Sequence, residues 1–259
     1  MEILHSVCPG MDEEVEMALT VLYRDAHIVV VHKPSGMPVH RGGRENTFCT
    51  AVVQSLRDRL GQHVYPVHRL DRPTSGVLVL GLHPEAASRM SVQFRCHEVQ
   101  KDYLALVRGR VPPGGVITRL LRPEENRHGR ARFSITKFHR VDCLEIPVPM
   151  GKTPTRCYSL VELHPETGRS RQIRRHLRSI SHPIIGDTAF GDGRHTRFFR
   201  EQFGCTRLML AAVRLSLRHP VSGGRLTVAA PLASDFMAVL ARLGMDRGLP
   251  SVWVHERSM

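Results

Sequence analysis

The run His68-Arg69-Leu70-Asp71-Arg72-Pro73-Thr74-Ser75-Gly76 sets one carboxylate between two guanidinium groups. Flanking cations favour the ionised carboxylate. In that state it suits nucleophilic or electrostatic catalysis better than proton donation, and the same cations would draw phosphates towards it. The run also suits a plain turn with a surface ion pair, because Asp, Pro, Ser and Gly all favour turns. Several other chemistries fail on spacing. Gly151-Lys152-Thr153 looks like the end of a phosphate loop, but Ile146 stands where that loop needs Gly. Gly191-Asp192-Gly193 would need a third Gly where Thr196 stands. The 16 histidines include no His-Glu-x-x-His and no clustered Cys/His set, so no metal is expected. Gly-x-Ser-x-Gly, the usual serine hydrolase elbow, is absent as well.

Charge narrows the partner. Lys plus Arg number 37 and Asp plus Glu 24, so the 259 residues carry +13 with His neutral. A field of that sign points to a polyanion: RNA, DNA or an anionic membrane surface. Hydrophobic residues at 41% and charged residues at 24% are ordinary for a globular protein and exclude disorder, collagen and coiled coil. The longest apolar stretches, Ile28 to Val31 and Leu208 to Val213, are far short of the roughly 20 residues that cross a bilayer. Asp12, Glu13, Glu14 and Glu16 make the N-terminus acidic, unlike a signal peptide. Cys8, Cys49, Cys96, Cys143, Cys157 and Cys205 are scattered with no Cys-x-x-Cys, as expected of reduced thiols in a cytoplasmic protein.

The elements that would position the loop follow from periodicity. Strands are expected at Leu19 to Tyr23, Ile28 to Val31, Val64 to His68, Gly76 to Leu82, Tyr103 to Val107, Arg132 to Thr136, Tyr158 to Leu163 and Leu208 to Leu217. Asn46 or Thr47 caps a helix that Gly61 stops after Leu60. Pro84 opens a second helix, with Ala86, Met90 and Phe94 on one face. A third runs from about Ser170 to Ser179, and Phe236, Val239, Leu240 and Leu243 mark a last one. Many strands with short turns and irregularly placed helices predict an α+β fold: a mixed, mostly antiparallel sheet flanked by helices, not a doubly wound βαβ fold. Residues 1–16 read as a flexible extension, 17–245 as one catalytic domain and 246–259 as a tail.

Four blocks in order carry a family resemblance. His68 to Gly76 resembles the catalytic motif of the RluA-type pseudouridine synthases, and His32-Lys33-Pro34-Ser35-Gly36 resembles their first motif. Lys101 to Gly109 is similar to their Lys-x-Tyr-x-Ala-x-Val-x-Gly strand. Thr167-Gly168-Arg169-Ser170-Arg171-Gln172-Ile173-Arg174-Arg175-His176-Leu177 is similar to a fourth block, with His182-Pro183-Ile184-Ile185-Gly186-Asp187 after it. Arg171 stands where the family usually has His, which puts in question any RNA contact made by that His.

The resemblance implies a pseudouridine synthase fold and isomerisation of a uridine in RNA to pseudouridine, without cofactor or metal. Asp71 would be the essential carboxylate that starts cleavage of the N1–C1′ bond, by attack at C1′ or by way of a glycal. Arg174 would pair with it, and Tyr103 would stack on the target base and assist proton removal, although by spacing alone Tyr103 reads as a strand tyrosine in a core. Arg69, with His68 beside it, would fill the gap left by a flipped base; Ile173 would pack on the uracil. Arg72 and the basic helix bearing Arg169, Arg171, Arg175 and Arg178 would meet phosphates. No S4-type RNA-binding domain fits before residue 17, so a single domain, acting as a cytoplasmic monomer, is expected to hold the RNA. The closer match within the family implies tRNA, at uridine 65 in the paired stem of the T arm, with 23S rRNA or dual use as the alternative. Two other classes compete. A glycosidase would need a second carboxylate about 5–10 Å from Asp71, and a non-catalytic RNA-binding module or chaperone would need no Asp71 at all.

Overall fold

Two short apolar runs, Ile-Val-Val-Val and Val-Leu-Val-Leu, have no polar alternation, and the fold uses them as strands buried on both faces. The computed structural model describes residues 19–40, 50–123, 129–149 and 154–254. The expected N-terminal extension, the caps at Asn46 or Thr47 and the Gly151-Lys152-Thr153 run lie outside the described residues. Strand β1 (Thr20–Arg24) turns into β2 (Ile28–Lys33) through Asp25, whose carboxylate accepts the amides of His27 and Ile28 at 2.7 and 2.8 Å. Helix α1 (Val52–Leu60) ends at Gly61, with φ 66°, and a two-residue β3 (Tyr65–Pro66) leads to β4 (Ser75–Gly81). Val29, Val31, Leu78 and Leu80 pack towards α1, with Val52 and Leu56. On the other face Ile28, Val30, Val77 and Val79 meet α2 (Pro84–Arg95) through Ala86 and Met90.

The chain continues through β5 (Gln100–Arg108), β6 (Gly114–Leu121), β7 (Arg132–Ile146), β8 (Arg156–Pro165), α3 (Gln172–Ser179), α4 (Gly193–Phe203), β9 (Leu210–Arg218), β10 (Arg225–Ala229) and α5 (Ser234–Leu243). One sheet runs β1-β2-β4-β9-β5-β8-β7-β6, with β10 added to β9 and β3 to β4. Every pairing is antiparallel except β4 with β9, which join in parallel through Ser75–Ala211 and Gly76–Ala212. Gly76 makes that junction possible: its φ is +114°, and a Cβ there would lie 2.0 Å from the Ala212 carbonyl oxygen. The largest core joins β5, β8 and β9 to α3, α4 and α5 through Leu106, Leu160, Leu177, Phe199 and Phe236.

The α+β expectation and the mixed, mostly antiparallel sheet hold, with differences in the elements. The Val64 to His68 strand shrinks to β3, because beyond Pro66 the chain leaves the ladder for the Asp71 loop. Strands β6 and β10 and helix α4 were not expected. Helix α3 starts at Gln172, not Ser170, because Arg171 takes the left-handed conformation with φ 51°. The stretch read as a tail packs inward as far as Trp253, which is 3% exposed and whose carbonyl accepts the Leu232 amide at 2.8 Å. The four cysteines among the described residues are unpaired thiols. No described helix is long and apolar enough to cross a membrane.

Candidate active site

The Asp71 loop leaves β3 and enters β4, and a second loop stitches it in place. Lys33, at the end of β2, is fully buried, and its three ammonium N–H groups meet the carbonyls of Met37 at 2.7 Å, Pro34 at 2.8 Å and Arg72 at 3.0 Å. Burial, with Arg207 next, pushes this ammonium down to about 7, while Asp71 opposes the shift. Ser35 Oγ donates to the Pro73 carbonyl at 2.8 Å, and the Gly36 amide donates to the Arg72 carbonyl at 2.9 Å. At the far end of the loop the buried Arg207 donates to Ser75 Oγ and, at 2.6 Å, to Asp235. The sequence showed Lys33 only as part of a motif; its anchoring role depends on two loops about forty residues apart meeting.

Arg174, in the first turn of α3, meets two carboxylates. Its Nε and Nη2 donate to Asp187 at 2.8 and 2.7 Å, and its Nη1 reaches Asp71 Oδ2 at 3.4 Å. Asp187, missed as a site residue although its block was noted, also accepts the amides of Ala189 and Phe190 at 3.0 and 2.9 Å. Burial would raise its carboxyl, but Arg174 and these amides outweigh that and hold it below the usual carboxylate range. Gly186 lets the chain turn into Asp187: φ is +77°, and a Cβ would lie 1.8 Å from the Arg207 carbonyl oxygen. The Asp187 side chain is 1% exposed and that of Asp71 is 19%.

Tyr103 reaches the same place from β5. The ladder to β9 shifts between Asp102 and Tyr103, pairing them with Arg214 and Ala212, so the strand is re-aimed beside the site. Burial, then the charges of Asp71 and Asp102, push its phenol well above the ordinary value, so it stays neutral. Ile173 is buried beside Arg174 and faces the same cleft. Gln172 organises the turn before α3: its Oε1 accepts from Thr167 Oγ1 at 2.7 Å and the Arg169 amide at 3.0 Å, and its Nε2 donates to the Ile135 carbonyl at 2.9 Å. His176 is anchored between Ser134 and Thr136 at 2.8 and 3.0 Å, and burial, then Arg175 and Arg119, push it down to about 4. It is therefore neutral and structural.

The cleft holds about 670 Å³ and is lined by Asp71, Tyr103, Ile173 and Arg174, with Arg69, Arg169 and Arg171 on its rim. His68 also borders it, but its ring stacks on Phe94 at 4.5 Å and its Nε2 accepts the Val79 amide at 3.1 Å. Burial, then Lys101, pushes that imidazole down to about 3. Its neutral ring fastens the loop to β4. Arg72 is exposed outside the cleft lining and donates its Nε to the Gly36 carbonyl at 2.9 Å. Arg175 turns to the Arg122 carbonyl at 2.9 Å, and Arg178 is exposed away from the cleft. Among the described residues, Asp102, Glu162 and His164 have ligand atoms close enough for one cation. Arg214 already pairs with Asp102 there, and His164 Nδ1 lies 2.6 Å from the same carboxylate.

A sequence model described as RNA pseudouridylate synthase matches residues 27–179, which include Lys33, Asp71, Tyr103 and Arg174. The chain belongs to this family. The synthase is 42% identical over 234 residues to tRNA pseudouridine synthase C of Yersinia pestis, an alignment covering 87% of this chain and 91% of that protein. It is 40% identical over 239 residues to the protein of the same name from Vibrio cholerae, covering 89% and 98%. With the Pectobacterium carotovorum protein of that name the identity is 46% over 240 residues, 90% of this chain but 64% of the relative, so the synthase spans less than two thirds of that protein's length. Human RNA pseudouridylate synthase domain containing 4 superposes with a TM-score of 0.67 at 25% identity, over 90% of this chain and 95% of that one. Human RNA pseudouridylate synthase domain containing 1 gives 0.66 at 24%, covering 85% and 87%, which supports the fold.

Proposed function

We propose that this synthase isomerises uridine 65 of tRNA, with Asp71 as the group that acts on the ribose. The observation that carries the reading is the unequal sharing of Arg174: Asp187 holds its fork, and Asp71 keeps a long contact that leaves its carboxylate exposed to the cleft. Asp71 starts breakage of the N1–C1′ bond, either by bonding to C1′ or by removing a C2′ proton to give a glycal. The free uracil rotates and C1′–C5 forms as the Asp71–C1′ bond breaks or, from the glycal, as Asp71 returns its proton to C2′; the C5 proton then leaves, and N1 ends protonated. Atoms and charge balance without an added reactant.

The target must leave its helix for C1′ to reach a carboxylate inside the cleft. Arg69 is exposed on the rim, where a planar guanidinium can stack and bind phosphate together. Tyr103 serves as a stacking face, since its neutral phenol is a poor base. Arg169 and Arg171, which also line the cleft, meet phosphates. The relatives' shared name supports tRNA as substrate, and in this reading the synthase works in the cytoplasm as a monomer without metal or cofactor. The test uses tRNA transcripts with U or C at position 65. Pseudouridine mapped at U65, with no modification of the C65 transcript, is expected. Modification elsewhere in tRNA, or only in 23S rRNA fragments, would overturn the position and leave the isomerase assignment standing.

A further inference from the structure

The β6–β7 hairpin has one covered face and one bare face. Ser134 and Thr136 point to α3, where His176 and Gln172 engage them. The intervening residues point the other way, and the register places Leu120 opposite Phe133, Thr118 opposite Ile135 and Val116 opposite Lys137. On that bare face Phe133 is 53% exposed, Leu120 67% and Val116 59%. Phe133 is the only Phe, Tyr or Trp among the described residues that is classed as exposed. A protein with 5% aromatic residues has few rings to leave in water. Burying this ring within the chain would have been favourable.

The surroundings identify the partner. The Phe133 carbonyl accepts from Arg169 Nε at 3.4 Å, and Arg169 lines the Asp71 cleft, so the bare face begins at the cleft rim. Arg132 and Arg130 are exposed beside it. Lys137, on the same face, lies opposite His164 across the ladder to β8, and both line a groove that shares Lys101, His97 and Pro165 with the cleft. A second copy of this chain, itself carrying +13, would set further cations against the guanidiniums around Phe133. A nucleotide brings a flat base and a phosphate together.

We infer that the bare face of the β6–β7 hairpin is a second RNA contact, in which Phe133 stacks on a base of the tRNA other than the target uridine. The inference rests on the tRNA reading above. Phe133 is a positioning residue: it holds the substrate in register with Asp71 and touches no reacting atom. Phe133→Ala is expected to raise the KM for unmodified tRNA about 5- to 150-fold, the range for loss of one base stack, while kcat and thermal stability stay near those of the unaltered enzyme. Phe133→Trp should keep KM and report on the contact directly. The chain's only other tryptophan, Trp253, is 3% exposed, so quenching of the new indole by tRNA is readable against it.

An unchanged KM in Phe133→Ala, with unquenched emission from Phe133→Trp, would overturn the inference while leaving the substrate reading intact. Sedimentation showing that the unaltered chain self-associates and that Phe133→Ala abolishes this would overturn it in favour of a contact between copies. Failure of the unaltered enzyme to modify any tRNA would remove the substrate reading, and this inference with it.

Discussion

Asp71 and Asp187 share one guanidinium, yet their surroundings assign them opposite work. Asp187 lies in a sealed turn with two short bonds from Arg174 and two backbone amides on the same carboxylate. Its charge is fully compensated, which makes it a structural anchor. Asp71 has one long contact to the same residue and a side chain partly open to the cleft. A carboxylate must keep an uncommitted oxygen to attack or to take a proton. The comparison teaches that Arg174 acts as a bridge: Asp187 fixes its position, and the remaining N–H steers Asp71 without locking it.

The most severe way to break this comparison is Asp71→Asn. Turnover of tRNA should fall roughly a thousandfold or more, as for loss of a group that acts directly in the chemistry, with tRNA affinity and thermal stability near those of the unaltered enzyme. Tritium release from RNA carrying 5-tritiated uridine reads this. Release by a preparation free of deamidation would refute the assignment.

Asp187→Asn should reverse the pattern. Breaking a buried ion pair costs about 3–5 kcal/mol, so a large drop in melting temperature is expected, along with slower turnover as Arg174 swings to Asp71. The same pair predicts a pH dependence. Because the folded-state carboxyl of Asp187 is held below its unfolded value, its stabilisation is complete above the unfolded range and is lost as pH falls through the depressed value. Denaturant titrations across that acid range should show a shallower dependence in Asp187→Asn than in the unaltered chain. Equal slopes would show that the pair carries no linkage.

Arg69→Ala tests the cleft rim against the buried bridge. It should slow turnover more than it weakens binding, and a target uridine already unpaired by a mismatch should recover part of the rate. Equal loss on paired and mismatched tRNA would contradict a role in holding the flipped state. The smallest effect belongs to Tyr103→Phe, which keeps the ring and removes only the hydroxyl. Turnover should fall modestly with KM unchanged. Loss as severe as in Asp71→Asn would give the phenol a chemical role that its raised pKa argues against.

Much of the candidate site was readable in the sequence, because the residues proposed for its chemistry sit in contiguous blocks: Asp71 with its flanking arginines, Tyr103 in a strand, Ile173 and Arg174 on one helix turn. The paired faces of β2 and β4 were readable too, as unbroken apolar runs. Helix α4 carried a usable signal that was missed. Asp192 caps it by accepting the Arg194 amide at 3.0 Å, and Gly204 closes it in the left-handed conformation. Its charged middle hid the period. Strand β6 was illegible for a physical reason: only Ile117 and Leu121 are buried, so an edge strand with a bare face has no alternation to read.

The amino-acid sequence by itself determined which groups can react, since residue type and local spacing set charge, stacking surface and turn geometry. Only the tertiary structure decided how those groups share their partners. Arg174 could not be apportioned between Asp71 and Asp187 from spacing, because that division depends on where Gly186 lets the chain pass beneath Arg207. His68 reads as a flipping residue beside Arg69, yet burial against Phe94 and the Val79 amide commits its ring to the scaffold. The exposure of Phe133 was equally hidden. Which side of a strand is covered depends on where a helix some forty residues later comes to rest, and that is a property of packing across the whole sheet.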